Sequence, residues 1–281
     1  MNKRLIITIA TILSLSGLVA GCQSRITTTA RTYQQTGMVA TIKGHAAGKT
    51  IKYRIGSETI HTATIHNNSF VVSIAPTTHQ QTVTLSAPNT SQHKVTVKAA
   101  KPLGNYRQFA RRYNQVITMA QLSSEQQHQL QATPQLKHNP QAAQNNPQLL
   151  QQTQQAQKNL NQARQKARAS QLPAYHQGIH PLVKTASYTL RGNMQENQLM
   201  GVTMIIPLRN LKNKQAARQF GTAFMALSQA CGANGKQVLQ AFKRATDHQK
   251  EQQTTLKTIT NHGVHYQVAF SPNGLYVYIT K

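Results

Sequence analysis

The chain has 281 residues and carries 31 Lys and Arg against five Asp and Glu, so its formal net charge is +26. Such a length is sufficient for two modest domains. With only five acidic side chains, the sequence does not favour acid–base catalysis by a pair of carboxylates. The large positive charge bears on the protein's partners rather than on its fold. The acidic residues are Glu58, Glu125, Glu196, Asp247 and Glu251.

Residues 1–21 are typical of a signal segment. A positively charged start precedes an uncharged, mostly apolar run from 5 to 20. That run of about 16 residues is shorter than the roughly 20 that a spanning helix needs, but it suits a signal sequence. It ends in Leu-Val-Ala-Gly-Cys at 18–22, which closely resembles the bacterial lipobox. The resemblance implies cleavage between Gly21 and Cys22 and a diacylglyceryl group on the Cys22 sulfur, which holds the protein to a membrane.

Nucleic acid is the usual partner of a strongly basic protein. An exported protein meets other polyanions instead. Outside a Gram-positive cell these are teichoic acids and anionic phospholipid head groups. The alternative is a general adaptation to an acidic exterior without a dedicated partner. We therefore expect a lipid-anchored protein on the extracytoplasmic face of the cell membrane with no nucleic-acid partner, and the sequence leaves its oligomeric state open.

The first part of the mature chain reads as strands. Residues 22–35 are rich in Thr, Gln and Ser and are predicted to form a tether. From 36 to 99, apolar and polar residues alternate in short runs, with turn signals such as Asn67-Asn68 between them. Alternation of this kind, with turns about every 8–12 residues, predicts a small β-sandwich of immunoglobulin-like type.

The periodicity then changes to that of helices. Between 103 and 172, apolar residues recur at spacings of three and four, beginning with Tyr106 and Phe109. Leu160 and Ala163 belong to a short, Ala-rich heptad seam. The segment is also rich in Gln, and polar tracts of this kind can stay disordered. We predict a helical stalk or hairpin here.

Residues 173–181 contain two prolines and are predicted to be a linker. In the last unit, 182–281, two strand-like runs precede two helical patterns, and three further strand-like runs end the chain. An antiparallel sheet covered on one face by two helices satisfies this order. The sequence therefore predicts an α+β, multi-domain protein: a small N-terminal β-sandwich, a helical stalk or hairpin, and a C-terminal antiparallel sheet with two helices.

Three segments resemble uncharacterised cell-surface lipoproteins of Gram-positive lactic acid bacteria. They are the lipobox at 18–22, the stretch Pro102-Leu103-Gly104-Asn105-Tyr106, and the ending Gly274-Leu275-Tyr276-Val277-Tyr278-Ile279-Thr280. The resemblance extends over the whole length of the chain. It implies a lipid-anchored surface protein and brings no activity or catalytic residue with it.

Catalytic and metal-binding motifs are incomplete. The stretch 44–50 has one residue fewer between its glycines than a phosphate-binding loop requires. The stretch 91–94 matches Ser-x-x-Lys without the two partner motifs of penicillin-recognising enzymes. His176 and His180 have the spacing of a helical metal clamp but lie among prolines, with no carboxylate or cysteine beside them. Cys231 ends a helical pattern and is expected to be a small buried apolar residue.

We therefore expect a non-enzymatic binding or envelope-interaction role, without a cofactor, a metal site or catalytic residues. One alternative is a cell-envelope enzyme or enzyme inhibitor whose site in 182–281 is built from unremarkable residues. A solute receptor for a transporter is a third, although such receptors usually need two larger α/β lobes.

Overall fold

The computed structural model describes residues 25–132, 147–247 and 257–281. The signal segment, the lipobox with Cys22, and Glu251 lie outside these ranges. Two buried clusters organise the described chain, one inside the N-terminal sheets and one beneath the C-terminal sheet. The predicted α+β class is confirmed, with N-terminal sheets, helices in the middle and a C-terminal antiparallel sheet.

The N-terminal unit is a sandwich of two sheets. Its strands are β1 (Thr27–Thr28), β2 (Thr32–Tyr33), β3 (Ala40–His45), β4 (Thr50–Ile55), β5 (His61–Thr64), β6 (Ser69–Ile74), β7 (Gln81–Ser86) and β8 (His93–Val97). One sheet has the order β1-β3-β6 and the other the order β2-β8-β7-β4-β5. Ile42, Val72 and Leu85 are among the side chains that fill the space between them, because every second residue of a strand points to the same face.

The sandwich begins earlier in the chain than the predicted tether allows. Ile26 is 2% exposed and belongs to the sandwich core. Strand β1 pairs with β3, and β2 pairs in parallel with β8. Threonine is β-branched and suits a strand as well as a linker, so residues 25–35 join the fold rather than the tether.

The C-terminal unit combines helices with a seven-stranded sheet. The helices are α1 (Tyr106–Met119), α2 (Ser124–Ala132), α3 (Pro147–Ala167), α4 (Leu208–Leu211), α5 (Lys214–Ala230) and α6 (Gly235–Asp247). The strands are β9 (Gly104–Asn105), β10 (Gly178–Lys184), β11 (Thr189–Gln195), β12 (Gln198–Pro207), β13 (Ile259–Asn261), β14 (Val264–Ser271) and β15 (Gly274–Thr280). The main path runs β10-β11-β12-β15-β14-β13, and β9 pairs with the start of β12. Among these described helices, none has both the length and the apolar character of a membrane span.

Helix α1 packs into the core of the C-terminal sheet. Its inward side chains Tyr106, Phe109 and Tyr113 belong to the same buried cluster as Leu190 and Phe224. An amphipathic helix must bury its apolar stripe, and the sheet supplies the partner surface. The first predicted stalk helix is therefore part of the C-terminal unit, although the sequence places it 60 or more residues before most of that sheet.

The predicted linker, 173–181, also contributes to this unit. The hydroxyl of Tyr106 donates a hydrogen bond to the Pro173 carbonyl at 3.0 Å. From Gly178 onward the segment is strand β10, which pairs with β11 along the edge of the sheet. Pro181 is compatible with this strand because an edge strand has one unpaired side, where a missing N–H costs nothing.

The two faces of the C-terminal sheet differ. Leu190, Val202 and Val277 point towards the helices and lie in the buried cluster. Their neighbours in the strands point to the opposite face, where the sandwich docks. There the Asn193 side-chain amide is fully buried and lies 3.5 Å from the carbonyl oxygens of Met38 and Pro76.

Candidate anionic-polymer surface

The outer face of the five-stranded sheet carries cations from two strands. In β4, Lys52 and Arg54 are exposed, whereas Ile51 between Thr50 and Lys52 is fully buried. In β8, Lys94 is exposed and Val95 is buried. Successive side chains of a strand point to opposite faces. The alternation that turns Ile51 and Val95 inward therefore turns all three cations outward.

Strand pairing sets the spacing of these cations. Arg54 lies opposite Thr84, and Thr84 lies opposite Lys94. Neighbouring strands are about 4.8 Å apart, so the two cations stand about 10 Å apart across the threonine. Lys52 lies two residues from Arg54 on the same strand, a distance of about 7 Å. We call the set of Lys52, Arg54 and Lys94 the cationic face.

Short hydroxyl side chains occupy the positions around the cations. Lys52 lies opposite Thr62 on one side and Ser86 on the other. Thr82 and Thr96 form a further opposed pair on the same surface. Hydroxyl groups both donate and accept hydrogen bonds, so the surface can hold phosphate oxygens and alcohol groups alike.

No carboxylate neutralises the cationic face within the part of the chain that the structure describes. Residues 25–99 contain eight Lys and Arg but a single acidic residue, Glu58. The side chains of Lys52, Arg54 and Lys94 form no hydrogen bond or ion pair with another described residue. Their charges are therefore available to an external anion.

The two histidines with metal-clamp spacing lie beside each other on the surface. The rings of His176 and His180 are 6.5 Å apart and meet edge to face. A ring nitrogen of His180 lies 2.5 Å from the Gln177 carbonyl oxygen. Over residues 25–132, 147–247 and 257–281, no group of three or more His, Cys, Asp and Glu side chains has the arrangement to hold a metal ion.

The two partial sequence motifs lie in or beside strands rather than before helices. Gly44 lies in β3, where an added Cβ would overlap the backbone oxygen of Thr27 and the ring of Phe70. Gly48 has a φ of +107° in the turn before β4, so a strand follows where a phosphate loop requires a helix. Ser91 precedes β8, which is likewise a strand.

Cys231 lies at the C-cap of α5 and has no disulfide partner among the residues that the structure describes. Burial raises the pKa of its thiol to about 12, although the charge of Lys281 acts in the opposite direction. The thiolate is the reactive form of cysteine. A group with this pKa is almost entirely protonated at neutral pH, which does not favour a catalytic thiol.

Comparisons with known proteins add no family. No protein-family model matches the chain, and no curated protein matches it significantly.

The sequence contained the signal for the cationic face but not its assembly. The alternation of Thr50-Ile51-Lys52-Tyr53-Arg54 marks one outward strand edge. Lys94 follows 40 residues later, and β7 lies between the two strands. Only the pairing order brings these residues to one surface.

Proposed function

We propose that the protein is a lipid-anchored, extracytoplasmic binding protein that contacts anionic cell-wall polymers through the cationic face. The observation that carries the proposal is the group of three exposed, unpaired cations on a sheet surface rich in hydroxyl groups. The lipobox-like sequence ending in Cys22 supports the extracytoplasmic address.

The chemistry of the surface suits a chain of phosphodiesters joined by polyols. Hydrogen bonds between a cation and a phosphate oxygen are shorter and stronger than those between neutral groups. Arg54 can bind one phosphate with two parallel hydrogen bonds, whereas Lys52 and Lys94 act as point charges. A polymer repeats its phosphates, so several weak contacts act together and raise the overall affinity.

A matched pair of triple variants tests this surface. One variant carries Lys52→Gln, Arg54→Gln and Lys94→Gln. The control carries Arg107→Gln, Arg111→Gln and Arg112→Gln, which removes the same charge from the exposed side of α1. Affinity of the detergent-purified chain for immobilised teichoic acid is measured by surface plasmon resonance at several salt concentrations.

The cationic-face variant is expected to bind about 3- to 150-fold more weakly than the unaltered chain, and the control much less so. This range assumes about 0.2–1 kcal/mol for each of three exposed charge contacts. Salt should weaken the binding of the unaltered chain, because the screening length falls to about 3 Å at 1 M.

Two outcomes would contradict the proposal. Equal losses in both variants would show that net charge, not this surface, controls the contact. If teichoic acid does not bind even at low salt, the result would favour general adaptation to the surroundings. Binding to anionic vesicles but not to teichoic acid would show that the cationic face recognises lipid head groups instead.

A further inference from the structure

A cleft of about 640 Å³ lies on the sheet face opposite the helices. Strands β11, β12, β15 and β14 form its floor, and residues 36–39 of the sandwich form one wall. None of the described residues that line it is acidic. The cleft is separate from the cationic face, which lies on the sandwich.

The floor contains a row of four directly opposed residues. Arg191 lies opposite Thr203, Thr203 opposite Tyr278, and Tyr278 opposite Gln267. With strands about 4.8 Å apart, Arg191 stands about 10 Å from Tyr278 along this row. A cation and an aromatic ring thus lie at opposite ends of a span that matches one or two sugar rings in size.

Two tyrosines form the aromatic part of the floor. The rings of Tyr276 and Tyr278 have centroids 6.3 Å apart and planes inclined by only 20°. Gly37 packs directly on the Tyr278 ring, since an added Cβ would lie 3.1 Å from Cδ1. Both tyrosines remain partly exposed, so the ring surface that Gly37 leaves open suits the C–H face of a saccharide.

A buried hydroxyl in the same row lacks a partner. Thr203 is 3% exposed, and its Oγ1 atom has no hydrogen-bond partner among the described residues. Buried polar groups are usually hydrogen-bonded, because an unmade bond is costly. Thr203 lines the cleft, so a ligand oxygen placed between Arg191 and Tyr278 could satisfy this hydroxyl.

We propose that the cleft binds a saccharide unit that bears a carboxylate or phosphate group. Tyr276 and Tyr278 stack on the sugar ring, Thr203 and Gln267 hydrogen-bond its oxygens, and Arg191 binds the anionic group. Arginine's planar fork matches both carboxylate and phosphate. This inference rests on the proposed extracytoplasmic function, because the glycans of the cell wall carry both carboxylate and phosphate groups.

Three monosaccharides with a common ring test the chemistry. N-acetylmuramic acid supplies a carboxylate, N-acetylglucosamine 1-phosphate supplies a phosphate, and N-acetylglucosamine supplies neither. Their affinities for the full chain are measured by titration calorimetry. We expect at least one of the charged sugars to bind about tenfold or more tightly than the neutral one, as a charged hydrogen bond implies.

Two variants and a control locate the binding. Arg191→Gln should reduce the affinity of the charged sugar to that of N-acetylglucosamine. Thr203→Val keeps the side-chain shape and removes the unpartnered hydroxyl, so affinity should fall severalfold while the denaturation midpoint stays level or rises. The exposed Lys212→Gln, outside the cleft, should bind as the unaltered chain does.

Equal affinities for the charged and neutral sugars, an Arg191→Gln variant without effect, or no binding at millimolar concentration would each overturn the proposal. The cationic-face triple variant should still bind the monosaccharide normally. Failure of the cationic-face proposal would therefore appear in polymer binding, and failure of the cleft proposal would appear in monosaccharide binding.

Discussion

The Nδ1 atom of His79 lies 3.4 Å from the Oε2 atom of Glu196, and among the residues described no other basic and acidic side chains come within 4.0 Å of each other. This contact connects the sandwich to the turn between β11 and β12. The hydroxyl of Thr78 donates to the same carboxylate oxygen at 3.0 Å. Both side chains are largely exposed, so water screens any attraction between them.

We therefore expect Glu196→Gln to change the free energy of unfolding by less than about 1 kcal/mol, as is typical of an exposed pair. Asn193→Ala should cost more, about 1–3 kcal/mol, because it leaves the carbonyls of Met38 and Pro76 without this buried donor. Urea unfolding of both variants checks the order. A larger loss for Glu196→Gln would show that the surface contact controls the docking.

Phe224 is a second stability test. Its side chain is 3% exposed, and its ring lies 5.7 Å from that of Phe242 and 5.6 Å from that of Tyr266. Truncation to Ala should cost about 3–5 kcal/mol through lost burial and a cavity. Ile60→Ala is the control, because Ile60 is 63% exposed. Equal denaturation midpoints for the two variants would contradict the packing of α5 on the sheet.

Fragments should show where the C-terminal unit begins. We expect 102–281 to unfold cooperatively in denaturant and 182–281 to lose that cooperativity, because the shorter fragment lacks α1, β10's first residues and the buried Tyr106, Phe109 and Tyr113. Circular dichroism during urea titration measures both. A cooperative transition in 182–281 alone would show that α1 is dispensable.

The burial of Tyr106 should make the free energy of unfolding depend on pH in the alkaline range. Burial raises the pKa of its phenol from 10.0 to about 12, so folding favours the neutral form. The associated stability is present below pH 10 and is lost as the pH rises through 12, by roughly 2–3 kcal/mol.

Tyr106→Phe should flatten this part of the pH dependence and cost about 1 kcal/mol at neutral pH through the lost hydrogen bond to Pro173. Unfolding free energies measured from pH 8 to 12 compare the variant with the unaltered chain. Parallel curves would show that Tyr106 does not contribute to the alkaline loss.

The anchor proposal depends on a single sulfur atom. Cys22→Ser should abolish labelling by radioactive fatty acid and release the protein from membranes or stall its processing, because serine cannot form the thioether. Cys231→Ser is the matched control and should be labelled normally. Membrane retention and labelling that survive in the Cys22 variant would refute lipid anchoring.

Local periodicity predicted the elements better than their assembly. The turn at Asn67-Asn68 is present, with φ angles of 48° and 59° that asparagine tolerates. By contrast, Pro181 pointed to a linker, because no local signal shows that β10 lies at the edge of the sheet. The row from Arg191 to Gln267 depends on strand register over 76 residues, which alternation within each strand does not contain.

The burial of Ile26 limits how far the protein can reach. If Cys22 carries the lipid, four Cα-to-Cα steps, with three residues between, separate it from Ile26, whose side chain is fixed in the sandwich core. A fully extended chain of that length spans roughly 14 Å. The folded sandwich would then lie close to the membrane surface, because the tether is too short to let it extend outward through the wall. Its ligands would have to extend down to the bilayer, which makes lipid-linked or newly exported polymers more accessible to it than the outer layers of the envelope.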